Sequence, residues 1–281
     1  MGDDEDMEAS EKPGAPAVEL PDTIAKAWGL REQRGKGPRP GLTLDRVVDA
    51  AVTVARTEGL AAVSMARVAT LLGVSTMGLY RYVSGKNELL TLMVDHAWGA
   101  PPAPRPGPAT WRDRLTWWAL DLRAAGIRDP WVVDIPIRSA PATPNQVAWM
   151  DSCLAAVEGT GLTPVEGGSV LLLLSGYVRN QVTLRANLAA AIDDPEAVAL
   201  MRDYPRVLTR VVDPARFPAL AAALAAGAFG DVEGEGEGAV EGDVEGDVEG
   251  DDEGLDEEFT FGLDRILDGI EVLVQSRRQP G

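Results

Sequence analysis

Apolar residues recur at helical spacing from residue 43 onward. Thr43 is a suitable N-cap for a first helix, whose apolar positions lie three and four residues apart over 44–55, and Gly59 can end it. Ser64 can cap a second, shorter helix, and Gly73 follows where that helix must stop and the chain must turn. The pattern therefore predicts two helices followed by a tight turn.

Two further helices continue this N-terminal unit. Ser75 can cap a helix over 76–83, and helical spacing of apolar residues resumes over 86–98. Residues 99–109 are rich in proline, which is typical of a joint between domains. We therefore place a domain boundary there and assign 31–98 to the first domain.

The remaining half of the chain also has helical patterns, and no segment has a convincing strand pattern. Residues 230–255 repeat Glu-Gly-Asp-Val units without an apolar face, which predicts a disordered acidic insertion. The expected fold is all-α, with a small N-terminal domain and a larger helical domain over 110–281. The helices predicted in this larger domain span 110–125, 130–138, 143–159, 163–190, 194–211, 214–229 and 256–276.

The net charge of −18 at first argues against a nucleic-acid partner. Its distribution reverses this interpretation, because residues 231–258 hold 15 acidic residues and no basic ones, and residues 1–12 carry a net −5. Residues 31–98 carry a net +3. We interpret residues 1–30 as a disordered acidic tail that leads into a basic arm, and the unit that follows is compatible with DNA.

Residues 64–83 have the spacing of a helix-turn-helix, in which two short helices are joined by a turn that starts with glycine. The small Ala69 allows the two helices to approach, and Val74 and Leu79 can bury the second against the first. The B-DNA major groove is about 12 Å wide and admits one helix. The side chains left to face such a groove are Ser75, Thr76, Met77, Tyr80 and Arg81.

This stretch resembles the DNA-binding domain of the tetracycline-repressor (TetR) family. The segments GPRPGLTLDRVV and FTFGLDRILDGIEVLV extend the resemblance to the branch with a tetracycline-repressor-type C-terminal domain. The matching residues of the DNA-binding domain are Ala50, Ala51, Gly59, Ser64, Val68, Ala69, Gly73, Val74, Ser75, the run Leu79 to Val83, Lys86, Leu89 and Leu90.

The resemblance implies a ligand-responsive, sequence-specific DNA-binding regulator, most simply a repressor released by a small hydrophobic molecule. Tyr80 and Lys86 would contact phosphates, Thr76 and Met77 would face base edges, and Tyr82 and Val83 are expected in the core. The full expected DNA-binding set in the helices is Ser64, Ser75, Thr76, Met77, Tyr80, Arg81 and Lys86.

Two positions depart from the family pattern and increase the importance of the basic arm. Ala66 stands where relatives often carry a basic residue, and Gly78 weakens a helix by about 1 kcal/mol relative to alanine. The arm residues Arg34, Lys36 and Arg39 could contact phosphates or the minor groove, or they could serve only solubility.

A single helix-turn-helix makes few contacts, so we expect a homodimer on palindromic half-sites about 34–36 Å apart. The helix over 165–192 mixes small and apolar residues, and the C-terminal helix has a broad apolar face. The resemblance implies that these two helices pair with their twofold mates; a plain monomer core is the alternative. The expected interface residues are Leu172, Gly176, Tyr177, Leu263, Ile266, Leu267 and Ile270.

A small-molecule effector is expected in the second domain, which holds five of the seven tryptophans. Tryptophans can equally be ordinary core, and buried amides often only satisfy a backbone group. His96, the one histidine, could be a ligand contact or a surface residue. The candidate pocket residues are His96, Trp117, Trp118, Arg123, Trp149, Asn180 and Gln181.

Composition argues against an enzyme and against a membrane protein. One histidine and one cysteine exclude a histidine-rich metal centre and disfavour Ser/His or Cys/His catalysis, so we predict no metal and no cofactor. Cys153 is expected to be a buried hydrophobe rather than a reactive thiol. No apolar run approaches the roughly 18 residues of a membrane span, and we expect a cytoplasmic protein. Alternatives are a regulator without a ligand, or an interaction protein acting through residues 231–258.

Overall fold

The computed structural model describes residues 19–30, 42–229 and 249–278, and within these residues it contains helices and no strand, so the all-α prediction is confirmed. Two short 3-10 segments, Leu60–Ala62 and Pro130–Asp134, accompany the α-helices. The α-helices are α1 Asp22–Ala27, α2 Leu44–Glu58, α3 Met65–Leu72, α4 Thr76–Leu79, α5 Lys86–Trp98, α6 Trp111–Arg128, α7 Pro144–Ala156, α8 Pro164–Ala191, α9 Pro195–Arg202, α10 Tyr204–Val211, α11 Pro218–Ala225 and α12 Glu249–Arg278.

The described residues form two compact units. Unit 1 contains the chain up to His96 together with Ser139–Val147, and unit 2 contains Ala97–Arg138 and the chain from Ala148 onward. The division after His96 falls just before the proline-rich 99–109 segment. Residues 139–147, which we had assigned to the second domain, instead belong to unit 1.

Asp95 and Trp28 explain why residues 139–147 join unit 1. The Asp95 carboxylate on α5 accepts hydrogen bonds from the backbone N–H groups of Asn145, at 3.0 Å, and Gln146, at 3.2 Å. It thereby satisfies free N–H groups in the first turn of α7. The Trp28 Nε1 donates to the carbonyl of Ala142 at 2.7 Å. Three hydrogen bonds, two to Asp95 and one from Trp28, therefore hold this segment within unit 1.

Unit 1 is built around α2, whose buried face carries seven small or β-branched side chains. The predicted caps are all present: Thr43 accepts from the N–H of Arg46, Ser64 from that of Arg67 and Ser75 from that of Gly78. Gly73 has φ of 65°, the left-handed conformation that a helix-ending turn requires. The buried α2 residues are Val47, Val48, Ala50, Ala51, Val52, Val54 and Ala55.

Three predicted boundaries were wrong. Residues 22–27, assigned to a disordered tail, form α1, in which Ala25 is buried. The third predicted helix over 76–83 is α-helical only over Thr76–Leu79, and 3-10-type hydrogen bonding follows, with the N–H of Tyr82 donating to the carbonyl of Leu79 at 2.8 Å. The last helix begins at Glu249 rather than near 256.

Unit 2 has a core in which α6, α8 and α12 pack together, with α7 at its edge. The contact between α6 and α8 is the most extensive, and Gly126 makes it possible. A Cβ atom at Gly126 would lie 2.8 Å from Cγ2 of Val182 and 3.2 Å from Cη2 of Trp98. Only a residue without a side chain therefore allows α6 and α8 this separation.

We predict that Gly126→Ala lowers the free energy of unfolding by about 1–3 kcal/mol, because the added methyl group overfills a packed contact. The measurement is urea unfolding followed by tryptophan fluorescence. Gly254→Ala on α12 is the matched control, since no atom lies within 4 Å of its Cβ position. Alanine there should leave stability unchanged or raise it by up to about 1 kcal/mol. An equal loss in both variants would contradict the packing argument.

Candidate nucleic-acid interface

The segment Ser75–Val83 of unit 1 separates its side chains into a buried set and an exposed set. Leu79 and Val83 are fully buried, and the Tyr82 hydroxyl donates to the carbonyl of Leu42 at 2.8 Å. Met77 is 76% exposed and Tyr80 is about half exposed. The expectation of a core position is confirmed for Val83, whereas Tyr82 is half-buried and attached to the backbone through its hydroxyl. The outer surface of this segment is left to polar and flexible side chains.

The predicted DNA-binding residues of the helices lie at accessible positions in unit 1. Ser64, Ser75, Arg81 and Lys86 are exposed, and Thr76 is half-buried. The hydroxyls of Ser64 and Ser75 already serve as N-caps of α3 and α4, so they fix these helices as well as facing outward. The arm residues Arg34, Lys36 and Arg39 lie outside the described residues.

Charge on this surface is carried by Arg81 and Lys86. Within the described residues of unit 1, neither side chain makes an ion pair. Arg67 differs, because its guanidinium donates twice to the carboxylate of Glu58, at 2.9 and 2.5 Å. The hydrogen bond from Arg67 lowers the pKa of Glu58. Arg67 is therefore neutralised locally, whereas Arg81 and Lys86 remain available to an anionic partner.

Glu88 fixes Ser84, the residue that directly follows the segment Ser75–Val83. The sequence pattern did not predict this role of Glu88. Its carboxylate accepts from the backbone N–H of Ser84 at 2.6 Å, from the Ser84 hydroxyl at 2.5 Å and from Nζ of Lys26 at 2.8 Å. Burial raises the pKa of the Glu88 carboxyl, but the hydrogen bonds from Lys26 and Ser84 outweigh burial, and the pKa lies below its ordinary value. The signal that could have revealed it is a carboxylate in the first turn of a helix after Ser84-Gly85.

Comparison with known proteins places both halves of the chain. The family model described as bacterial regulatory proteins, tetR family, matches residues 47–93, and the model described as tetracyclin repressor-like, C-terminal domain, matches residues 103–236. The HTH-type transcriptional repressor DrrR1 of Streptomyces coeruleorubidus is 34% identical over 264 residues, which span 91% of this chain and 87% of that protein. The chain belongs to the TetR family of transcriptional repressors.

Solved structures have the same fold at lower sequence identity. ActR of Streptomyces coelicolor, crystallised in complex with actinorhodin, superposes with a TM-score of 0.65 at 22% identity, covering 85% of this chain and 97% of ActR. Apo ActR gives the same TM-score. An HTH-type transcriptional regulator of Saccharopolyspora erythraea is 28% identical over 154 residues, 55% of this chain and 65% of that protein.

Family membership confirms the resemblance inferred from the residues, and TetR regulators bind operator DNA and dimerise. They are DNA-binding regulators, so the prediction that the chain is not an enzyme is also confirmed. Among the described helices, none is both long and apolar enough to cross a membrane. In the same part of the chain, no group of three histidine, cysteine or acidic side chains could hold a metal ion.

The pocket residues predicted for the TetR C-terminal domain lie in several different surroundings. Trp118 and Trp149 are buried core residues in an edge-to-face pair with ring centroids 5.9 Å apart. The Trp118 Nε1 donates to the carbonyl of Trp149 at 3.0 Å, and the Trp149 Nε1 donates to that of Gly99 at 2.9 Å. Because their Nε1 groups are satisfied by backbone carbonyls, these two rings are core residues of unit 2, and their contact with a ligand stays a prediction.

The other candidate pocket residues are dispersed. His96 belongs to unit 1, is exposed, and its Nε2 lies 3.1 Å from the carboxylate of Asp49, so it is a surface residue rather than a pocket residue. Trp117 is half-buried beneath the guanidinium of Arg105, and Asn180 is exposed.

Arg123 and Gln181 are the remaining two candidates, and both lie near the start of α12. The largely buried Arg123 donates to Asp256 at 2.5 Å and stacks on the ring of Phe259. Gln181 lines a shallow cleft of about 530 Å³ with Tyr177, Glu257, Glu258, Phe261 and Gly262. Of the predicted pocket residues, Gln181 is therefore the one that lines this cleft.

The predicted dimer residues divide between core and surface. Leu263, Leu267 and Ile270 are buried in the core of their own subunit against α6 and α8, so they cannot form the surface offered to a partner. Leu172 is 75% exposed and Gly176 is exposed, whereas Tyr177 and Ile266 are half-buried. The predicted face of α12 is wrong for these three residues, because the apolar residues of α12 outnumber those that one face can hold; the use of α8 and α12 for dimerisation stays a prediction.

Cys153 is fully buried in the core of unit 2, and burial raises the pKa of its thiol to about 12. A thiol with so high a pKa forms almost no thiolate at neutral pH and is chemically inert. This confirms the expectation of a buried hydrophobe rather than a reactive group.

We predict that Glu88→Gln lowers the free energy of unfolding by about 2 kcal/mol at neutral pH, because it removes a buried, hydrogen-bonded charge. The folded-state pKa is below the ordinary 4.5, so this stabilisation is present above pH 4.5 and is lost as the pH falls through the folded-state value. The difference between wild type and variant in urea unfolding should therefore shrink in acid. Glu58→Gln, at an exposed carboxylate, is the control and should change stability little at either pH.

Proposed function

We propose that the protein is a ligand-responsive, sequence-specific repressor that binds palindromic operator DNA as a homodimer in the cytoplasm and is released by a small hydrophobic molecule. The observation that carries the DNA-binding part is the separation of faces in the segment Ser75–Val83. Leu79 and Val83 anchor it in the core of unit 1, while Met77, Tyr80 and Arg81 are exposed. A short helix fixed from behind in this way can enter a major groove without changing its own fold.

Each exposed residue has a proposed role that follows from its chemistry. Arg81 and Lys86 have no ion-pair partner in the part of the chain that the structure describes, and their charges are suited to phosphates. The Tyr80 hydroxyl can donate to a phosphate oxygen. Met77 presents an apolar, flexible chain suited to a thymine methyl group, and the Thr76 hydroxyl can bond a base edge. The arm residues Arg34, Lys36 and Arg39 are proposed to add phosphate or minor-groove contacts.

The proposed dimer uses the outer faces of α8 and α12. Large apolar side chains are exposed there, which a monomer would leave in water. Gly168 and Gly176 on α8 and Gly269 on α12 have no atom near their Cβ positions, so a second helix can approach their backbones closely. The exposed apolar residues on these faces are Val165, Leu172, Leu173, Phe261 and Val272.

The proposal of a small-molecule effector is supported by solved structures with the same fold. ActR, which has this fold, was crystallised with actinorhodin and with (S)-DNPA. We infer that the effector of this protein is also a small, largely apolar molecule bound by unit 2. Gel shifts with operator DNA and increasing actinorhodin as first probe, followed by other aromatic compounds, separate a ligand-responsive regulator from a ligand-independent one. Release by none of a broad panel would favour the ligand-independent alternative.

We predict that Tyr80→Phe and Lys86→Ala weaken binding to all DNA sequences alike, because they remove phosphate contacts, and that Lys86→Ala reduces the slope of log affinity against log salt by about 1. Thr76→Val should instead change which operator bases are preferred. Gel shifts over a salt series, on the DNA that flanks the gene, measure both effects.

Arg138→Ala is the control for these DNA-binding variants, since it removes one exposed positive charge from unit 2. It should leave affinity and salt slope unchanged. Unaltered binding by all three recognition variants would show that the DNA-binding surface lies elsewhere.

We predict that Leu172→Asp produces a monomer that binds operator DNA weakly, because a charge would be buried at the proposed interface. Analytical ultracentrifugation and gel shift give the two readouts. Ile137→Asp is the matched control, as Ile137 in unit 2 is also 75% exposed but lies outside α8 and α12. If the Leu172 variant stays dimeric, the proposed interface is wrong.

A further inference from the structure

The helices α9, α10 and α11 of unit 2 bury none of their residues. Their most extensive contacts are with one another rather than with α6, α8 or α12. Helices of eight residues are marginal in water unless an apolar face is packed. These helices and their flanks nevertheless expose Val198, Leu200, Met201, Tyr204, Val207, Val211, Phe217 and Phe229.

The helix α10 is strongly amphipathic. Tyr204, Val207 and Val211 follow one another three and four residues apart and so lie on one face. Arg210 borders this face beside Val207 and is exposed. Within the described residues, its guanidinium makes no ion pair, whereas Arg206 lies 3.5 Å from Asp203. The helix therefore offers an apolar stripe with an unpaired positive charge at its margin.

The cleft at the start of α12 has the complementary character. Its walls include the rings of Tyr177 and Phe261 and the acidic residues Glu257 and Glu258. Tyr177 stacks on Phe259 with ring centroids 5.3 Å apart, and its hydroxyl donates to the carbonyl of Phe259 at 2.9 Å, so this wall is rigid. Neither glutamate carboxylate makes an ion pair within the described residues.

We propose that α10 of a second copy of this chain lies in this cleft, with its apolar stripe against Tyr177 and Phe261 and Arg210 paired with Glu257 or Glu258. Both elements expose apolar side chains, although Tyr204 also contacts Phe229 of its own chain and Arg265 lies over the ring of Phe261. Within the described residues, the charges of Arg210 and of the two glutamates are unpaired and of opposite sign. The inference rests on the dimer of the proposed function, because Phe261 belongs both to the cleft and to the exposed face of α12. The cleft is then completed only when two chains associate.

Disulfide trapping tests the contact directly. Val211→Cys in one copy and Glu257→Cys in a copy of different size are co-expressed and oxidised mildly. The native Cys153 is buried and inert, so it does not compete. We expect a disulfide-linked heterodimer with this pair and none when Ile137→Cys replaces Glu257→Cys. The doubly substituted chain, Val211→Cys with Glu257→Cys, should link between chains; a purely intrachain disulfide would overturn the proposal.

Charge reversal supplies an independent readout. Arg210→Glu and Glu257→Arg should each weaken dimerisation by about tenfold in sedimentation experiments, and the double variant should recover most of the loss. Arg216→Glu is the control, because Arg216 stacks on its own Phe217, 5.1 Å from the ring centroid, and it should have little effect.

The failure of this inference can be distinguished from failure of the proposed dimer. One outcome is that the wild-type protein sediments as a dimer, but the cysteines introduced at positions 211 and 257 form no disulfide and the double charge variant shows no recovery. This outcome refutes the placement of α10 in the cleft and leaves the proposed dimer intact. A wild-type protein that sediments only as a monomer refutes both.

Discussion

The burial of Leu79 in unit 1 is the constraint on which the DNA-facing surface depends. The helix that carries Leu79 has only four residues, far too few to be stable by itself. Its position is therefore set by a side chain with no exposed surface, by the Ser75 cap before it and by the left-handed turn at Gly73. These three features orient the exposed residues without help from the intrinsic helix propensity of the segment, which Gly78 weakens.

Buried carboxylates perform a second kind of positioning in unit 1. Glu88 holds Ser84 and Lys26, and Asp95 holds the first turn of α7 through the N–H groups of Asn145 and Gln146. Both acids lie on α5. This one helix therefore positions the residue after the segment Ser75–Val83 and also holds residues 139–147 within unit 1. Each interaction gives hydrogen-bond partners to a buried carboxylate, which would otherwise be left unsatisfied at a large cost in free energy.

The sequence was a sound guide wherever one local signal determined the outcome. The caps at Thr43, Ser64 and Ser75 and the turn at Gly73 follow from the chemistry of single residues. Prediction failed where an outcome depends on contacts between segments far apart in sequence. The ion pair between Lys26 and Glu88, which are 62 residues apart, stabilises α1, although the sequence around α1 is typical of a polar tail.

The wrong predictions for residues of α12 also arise from contacts between segments that are far apart in sequence. A broad apolar face on α12 does not reveal which of its residues α6 and α8 will cover, and the sequence therefore predicts Leu263, Leu267 and Ile270 at the dimer interface rather than in the core. Tryptophan content likewise could not separate a pocket from a core; in the structure, the Nε1 groups of Trp118 and Trp149 each donate to a backbone carbonyl. The arm residues Arg34, Lys36 and Arg39 lie outside the described part of the chain, and their role stays a prediction.

The short recognition helix also bears on how such regulators diverge. Residues that hold it in place, such as Leu79 and Val83, are wholly internal, whereas Met77 is almost free of the protein. Under the proposed function, a substitution at Met77 alters what is presented to a base pair at almost no cost in folding free energy, since exposed positions contribute little to stability. Operator preference can thus drift between duplicated genes by single steps, each leaving a fully folded protein for selection to act on.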